Sequence, residues 1–220
     1  IILIFVFSKC STWDTDEGYR PPPELSTSEI TTTEFPPLPD IQINTYSAEI
    51  VDEPKIKGYL EIYQGDDKIE EHNIGIEIRG SSSQFFDKKS YGFETWDEEG
   101  EDLNVSLAGY PEEEDWILYG PYSDKSLIRN VLIYNLSNQI GRYATKTKLY
   151  NLSINNEFLG VYVLMEKIKR DKNRVDISKN KPEDISGGYI IKIDKPTGDG
   201  DSFNSDIAFM SEYTSGGIKL

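Results

Sequence analysis

The sequence is nearly without cysteine and histidine: Cys10 and His72 are its only examples in 220 residues. A lone cysteine excludes an internal disulfide framework and any multi-cysteine zinc site. A lone histidine argues against multi-histidine metal sites. A Ser-His-Asp arrangement would have to use His72, which stands in the polar run Glu70-Glu71-His72-Asn73. Chemistry therefore falls to carboxylates, lysines, arginines and backbone amides. Positive charge is also short. The 23 Lys and Arg face 39 Asp and Glu, a net charge of −16, which argues against holding nucleic acid or an anionic membrane by general electrostatics. The acidic surface reads first as a well-solvated one. The apolar run at residues 1–7 is too short to span a bilayer.

What is present bounds the rest. Apolar residues make up 37% of the chain, with fourteen Tyr and nine Phe, enough for the core of one sizeable domain plus a tail. The opening run, followed by Ser8-Lys9-Cys10, fits the end of a signal-peptide apolar region. A Cys directly after such a run resembles a lipoprotein processing site, which would leave Cys10 lipidated. Lys9 departs from the small residue preferred there, and a plain signal peptide or a cut-down membrane anchor are the alternatives. Since the first residue is Ile1 and not Met, the true start is expected to precede it. Residues 11–38 read as a tether: Pro21-Pro22-Pro23 and Pro36-Pro37 stand among many Ser and Thr, without apolar periodicity. Proline stiffens such a spacer.

From residue 39 to 220 the pattern is that of a folded domain. Alternation predicts strands at 41–50, 57–63, 74–78 and 90–95, and a short apolar strand at 116–119. A single convincing helix spans 124–140, with Leu127, Ile128, Val131, Leu132, Leu136 and Ile140 as its apolar stripe. Ser123 or Asp124 is its expected cap and Gly141 its stop. Segments 149–154 and 158–165 form a hairpin about Asn155-Asn156, residues that tolerate the positive φ of a tight turn. A further strand is expected at 189–193. This order predicts an α+β domain with a mostly antiparallel sheet and one main helix, not a doubly wound fold. The last six residues, Ser215 to Leu220, look like a turn opening a strand, so the domain is expected to be truncated at the C-terminus.

Five segments carry a family resemblance. They are Ile78-Arg79-Gly80-Ser81-Ser82-Ser83 with Lys88-Lys89-Ser90-Tyr91, then Asp115-Trp116-Ile117-Leu118, then Asp124-Lys125-Ser126-Leu127-Ile128-Arg129-Asn130. Asn155-Asn156-Glu157-Phe158-Leu159-Gly160-Val161-Tyr162, running on to Glu166, is the fourth. Asp171-Lys172-Asn173-Arg174-Val175-Asp176-Ile177, with Gly187-Gly188-Tyr189 downstream, is the fifth. In this order they resemble the N-terminal portion of the CotH kinase family, the spore coat protein H-like proteins, in a bacterial lipoprotein. The resemblance implies a kinase-like fold and an atypical protein kinase acting outside the cytoplasm. Such an enzyme uses ATP and Mg2+ and phosphorylates Ser or Thr of envelope or coat proteins. The implied place is the cell envelope, lipid-anchored, with the membrane touched only through the anchor and no nucleic acid bound.

Phosphoryl transfer asks a protein mainly to position phosphates and neutralise their charge. Gly80-Ser81-Ser82-Ser83 joins two strands and can turn backbone N–H groups and hydroxyls toward an anion; an ordinary hairpin is the plainer reading. Lys89 is the expected phosphate-facing cation, because strand alternation puts it on the face of Tyr91 and Phe93 and sends Lys88 the other way. The alternative for Lys89 is a solvated strand lysine. Arg79 can meet phosphate with two parallel bonds, or form a surface ion pair. Arg129 and Asn130 read better as a salt bridge orienting the helix, to Asp124 or Asp115, than as catalytic groups. Glu166 is expected to frame an adenine pocket, or to pair with Lys167 or Arg170.

Two departures matter. The helix has no Glu to hold a phosphate-binding lysine. The family's metal-binding and catalytic carboxylates belong to segments beyond the end of this chain, so the fragment alone is expected to be inactive. Asp194, Asp199, Asp201 and Asp206 match no such motif, and Asp199-Gly200-Asp201 fails the calcium-loop spacing because Phe203 takes a ligand position. The competing reading is a non-catalytic surface lipoprotein for adhesion or envelope structure, which scarce ATP outside the cytoplasm favours.

Overall fold

Alternating apolar and polar residues make seven strands in the computed structural model, which describes residues 36–179, 188–190, 208–210 and 217–219. They are β1 Asp40–Asn44, β2 Ile56–Gln64, β3 Asp67–Arg79, β4 Ser90–Trp96, β5 Asp115–Tyr119, β6 Thr147–Ile154 and β7 Glu157–Glu166. One helix, α1, spans Arg129–Gln139. Two short strands, β8 Ala208–Met210 and β9 Gly217–Lys219, pair with each other. Among the described residues no helix is long and apolar enough to cross a membrane.

The seven strands close into a barrel in the order β1-β2-β3-β4-β5-β7-β6. Every pairing is antiparallel except the last, where β1 meets β6 in parallel. This overturns the expected α+β, kinase-like fold with an antiparallel sheet. Period-two alternation reports that a strand has one buried face; it does not report whether the sheet is open or closed. Closure depends on β1 reaching β6, with Ile43 opposite Ile154, a pairing between segments about a hundred residues apart. Irregular register between Ile62 and Tyr63 and between Leu152 and Ser153 adds the bends a small barrel needs.

Side chains fill the interior. Ile41, Ile43, Leu60, Ile62, Ile74, Ile76, Phe93, Trp116, Leu118, Leu152, Tyr162 and Leu164 are all essentially inaccessible. A second, outer cluster of Ile117, Val163 and Met165 takes the opposite faces of β5 and β7, and Val131 and Tyr134 of α1 cover it. The helix begins five residues later than its apolar pattern predicts. Asp124 caps ahead of it, accepting from the Ser126 and Arg129 amides at 3.0 and 2.9 Å. Leu127 between them sits at φ +62° and breaks helical geometry. The expected stripe also differs from the buried face: Leu132, Leu136 and Ile140 are exposed.

Asn155 and Asn156 form the tight β6–β7 turn at φ +49° and +67°. Asn155 also stitches the parallel seam. Its Oδ1 accepts from the Thr45 amide at 2.9 Å and its Nδ2 donates to Thr45 Oγ1 at 2.8 Å. Of the strand expected at 189–193, residues 188–190 have no regular structure and the remainder lies outside the described residues. Cys10 and the acids from Asp194 to Asp206 also lie outside them.

Candidate functional site

One end of the barrel gathers the Gly-Ser turn and the loop after β5. Gly80 takes φ +114°, and a Cβ there would lie 2.1 Å from Ser83 Oγ. Only glycine suits a backbone at that φ so close to a hydroxyl. Ser82–Phe85 then form one 3-10 turn. Across from it, the Gly120 amide donates to Ser90 Oγ at 3.0 Å, and Phe86 stacks on Tyr122 with centroids 4.8 Å apart. Gly120 also admits a close crossing, since a Cβ would stand 2.5 Å from the Lys89 carbonyl oxygen. Together Arg79, Gly80, Ser83, Ser90, Tyr119 and Ser123, with the stacked pair, line a recess of about 190 Å³.

Of the predicted residues, the recess holds Arg79, Gly80 and Ser83. Among the described residues, Arg79 has no carboxylate within ion-pair distance. Ser81 and Ser82 are exposed on the turn outside the lining. Lys89 is turned back into its own loop. Its ammonium donates to the Gln84 and Phe86 carbonyls, both at 2.7 Å. The pairing of β4 starts only at Ser90, so pleat alternation does not orient residues 88 and 89; the loop does. Lys88 lies over the Tyr162 ring, 4.5 Å from its centroid. Its ammonium also donates a long 3.4 Å bond to the Leu159 carbonyl, and burial pulls its pKa down. Tyr119, Gly120, Tyr122 and Ser123 were not legible as site residues. The only hint was a Gly-Pro break after an apolar strand.

Glu166 belongs to the other end. It is level with Trp116, whereas Arg79 is level with Ser90, several residues away at about 3.3 Å each. Glu166 is 1% exposed and pairs with neither Lys167 nor Arg170. Arg174, wholly buried, donates to it at 2.9 Å, and the Lys146 amide donates to it at 3.0 Å. The Arg174 guanidinium also lies over Trp116, 4.7 Å from the ring centroid. Arg129 does pair with one of its two expected partners, Asp124, at 3.4 Å.

Beside Glu166, the carboxylates of Glu113, Glu114 and Asp115 converge within 4.8 Å. The protein's own cations already occupy them. Lys169 reaches all three at 2.6 to 2.7 Å, and Lys167 reaches Asp115 at 2.6 Å. Burial raises the pKa of Glu113 against the pull of Lys169. For Asp115 burial also works upward, but Lys167 and Lys169 outweigh it and hold the carboxyl low. This cluster does not fit Mg2+ for a nucleotide at the recess. It lies at the wrong end and its charge is compensated. The recess lining itself contributes no carboxylate.

The family model described as CotH kinase protein matches residues 76–216, more than half of the chain. No curated protein matches the chain. The match runs from β3 through the Gly-Ser turn, the β5 loop, the helix and the β6–β7 hairpin. The matched stretch includes every residue that lines the recess, and on the extent of that match the chain belongs to the CotH kinase protein family.

Proposed function

We propose that this chain is the anion-holding portion of a CotH-type phosphotransferase. The full protein transfers phosphate from ATP to Ser or Thr of envelope or coat proteins, and it works outside the cytoplasm on a lipid anchor at Cys10. The observation that carries the reading is Arg79, a guanidinium with no carboxylate at ion-pair distance among the described residues, which lines one recess with Gly80, Ser83 and Ser90. A guanidinium in that state is suited to bidentate phosphate binding. At about 190 Å³ the recess is smaller than the roughly 300–1,000 Å³ of sites that enclose a whole drug-sized ligand. It suits a terminal phosphoryl group, with the remainder of the nucleotide outside. Lys89 acts as a brace, fixing the turn through the Gln84 and Phe86 carbonyls.

Calorimetric titration of the intact gene product with ATP, with and without Mg2+, tests this. Charge-assisted bonds contribute about 1.5–3 kcal/mol, so Arg79→Ala should weaken ATP binding about 10- to 100-fold. Unchanged affinity in a folded Arg79→Ala protein would sink the assignment. No ATP binding by the intact protein would favour the competing reading, a non-catalytic adhesion or envelope protein of the same family.

A further inference from the structure

The outer face of the barrel carries a second feature, whose lining shares no residue with the Arg79 recess. In the β3–β4 ladder Gly75 stands opposite Glu94, two positions from the pair Asn73–Trp96 and on the same face. The Trp96 indole lies down over Gly75. A Cβ on Gly75 would sit 1.9 Å from Trp96 Cζ2 and 2.4 Å from Cε2 and Cη2. One face of the ring is therefore held on bare backbone. Trp96 also lines an open cleft of about 620 Å³, with Glu53, Pro54, Lys55 and Glu77. Gly92 flattens the same surface further, since a Cβ there would meet Glu77 Oε1 at 3.2 Å.

The polar groups of the cleft are ordered. Lys55 Nζ stands 3.1 Å from Glu94 Oε1 and 3.4 Å from Glu77 Oε1. Burial works against its charge, but Glu94 and Glu77 outweigh this and hold the ammonium protonated. A flat aromatic platform edged by fixed donors and acceptors matches a hexose: an apolar C–H face for the indole, and neighbouring hydroxyls that both give and accept hydrogen bonds. The alternatives fit less well. A cationic ligand would be repelled by the Lys55 ammonium, which already pairs with Glu77 and Glu94. A phosphate or uronic acid would meet Glu53, Glu77 and Glu94 on a chain of net charge −16. A purely apolar ligand would leave the charged rim unsatisfied.

We infer that the Trp96 cleft binds the neutral sugar units of a glycan, at a site separate from the phosphate recess. Residues 53–55 precede the family match, whereas Glu77, Glu94 and Trp96 fall inside it. The site thus joins family and non-family segments.

Affinity electrophoresis of the intact protein tests this, using gels that contain cellulose-type β-glucan, xylan, mannan or dextran, with polygalacturonate as the acidic counterpart. At least one neutral polysaccharide should retard the wild-type protein. Trp96→Ala, with an unchanged circular dichroism spectrum, should raise the dissociation constant about tenfold or more. Trp96→Phe keeps a ring on Gly75 and should retain part of the retardation. If Trp96→Ala does not fold, Glu77→Gln decides, since it leaves Lys55 paired with Glu94 and should still weaken binding. The inference is overturned if no neutral polysaccharide retards the protein or if polygalacturonate is preferred. It is also overturned if the folded variant used, Trp96→Ala or Glu77→Gln, migrates as wild type.

Discussion

Replacing Arg174 with Met strands a buried carboxylate. Glu166 is 1% exposed and receives two hydrogen bonds, from Arg174 Nη1 at 2.9 Å and the Lys146 amide at 3.0 Å, with Lys146 Nζ as an ion pair at 3.5 Å. The Lys146 side chain is about half exposed, at 48%, so water weakens its ion pair. Among the described residues Arg174 is the one buried cation on Glu166, and it also stacks on Trp116. Met restores much of the volume but no charge. Breaking a buried pair by removing one partner costs about 3–5 kcal/mol. At about 2–4 °C per kcal/mol for a protein of this size, Tm should fall by about 6–20 °C. Adding Glu166→Gln removes the stranded charge while leaving an oxygen to accept the Lys146 amide. The double variant should therefore recover to within about 1–2 kcal/mol of wild type. Urea unfolding at constant slope reads both values. The reasoning fails if Arg174→Met alone costs less than about 1 kcal/mol, or if the double variant is no more stable than the single.

Three further outcomes follow from local geometry. Gly80→Ala puts a side chain at φ +114° and 2.1 Å from Ser83 Oγ. It should cost about 1–3 kcal/mol in urea unfolding and should weaken ATP binding by disturbing the recess. Asn155→Gly keeps the positive φ of the turn but abandons the buried Thr45 amide and hydroxyl. A loss of about 1–3 kcal/mol is expected, with faster hydrogen exchange at β1. For Asp124, the Ser126 hydroxyl bond first, and then the Arg129 and Ser126 amides, hold the carboxyl below its ordinary 3.8. A lowered folded pKa gives stability that is present above the ordinary value and lost as pH falls through the folded one. The stability gap between wild type and Asp124→Asn should therefore be full near neutrality and close on acidification below about pH 4, as read by unfolding at a series of pH values.

Much of this protein is written locally. Alternation at Ile74, Ile76 and Ile78, or at Leu60 and Ile62, marks a strand wherever it pairs, because side-chain period depends only on backbone pleat. Asn155-Asn156 marks a tight turn because few residues accept two positive φ values in succession. The five family segments likewise needed no structure to stand out. What the residues in line do not hold is anything set by contacts between distant segments. The parallel β1–β6 seam that turns a sheet into a barrel is one case, and the choice of Arg174 as partner of Glu166 is another. The orientation of Lys89 was settled by two loop carbonyls and not by the strand that follows. The resting of Trp96 on Gly75 arises only once two strands align in register. Dihedral preference and periodicity are short-range properties of the chain; closure, charge pairing and side-chain stacking are set by which surfaces the fold brings together.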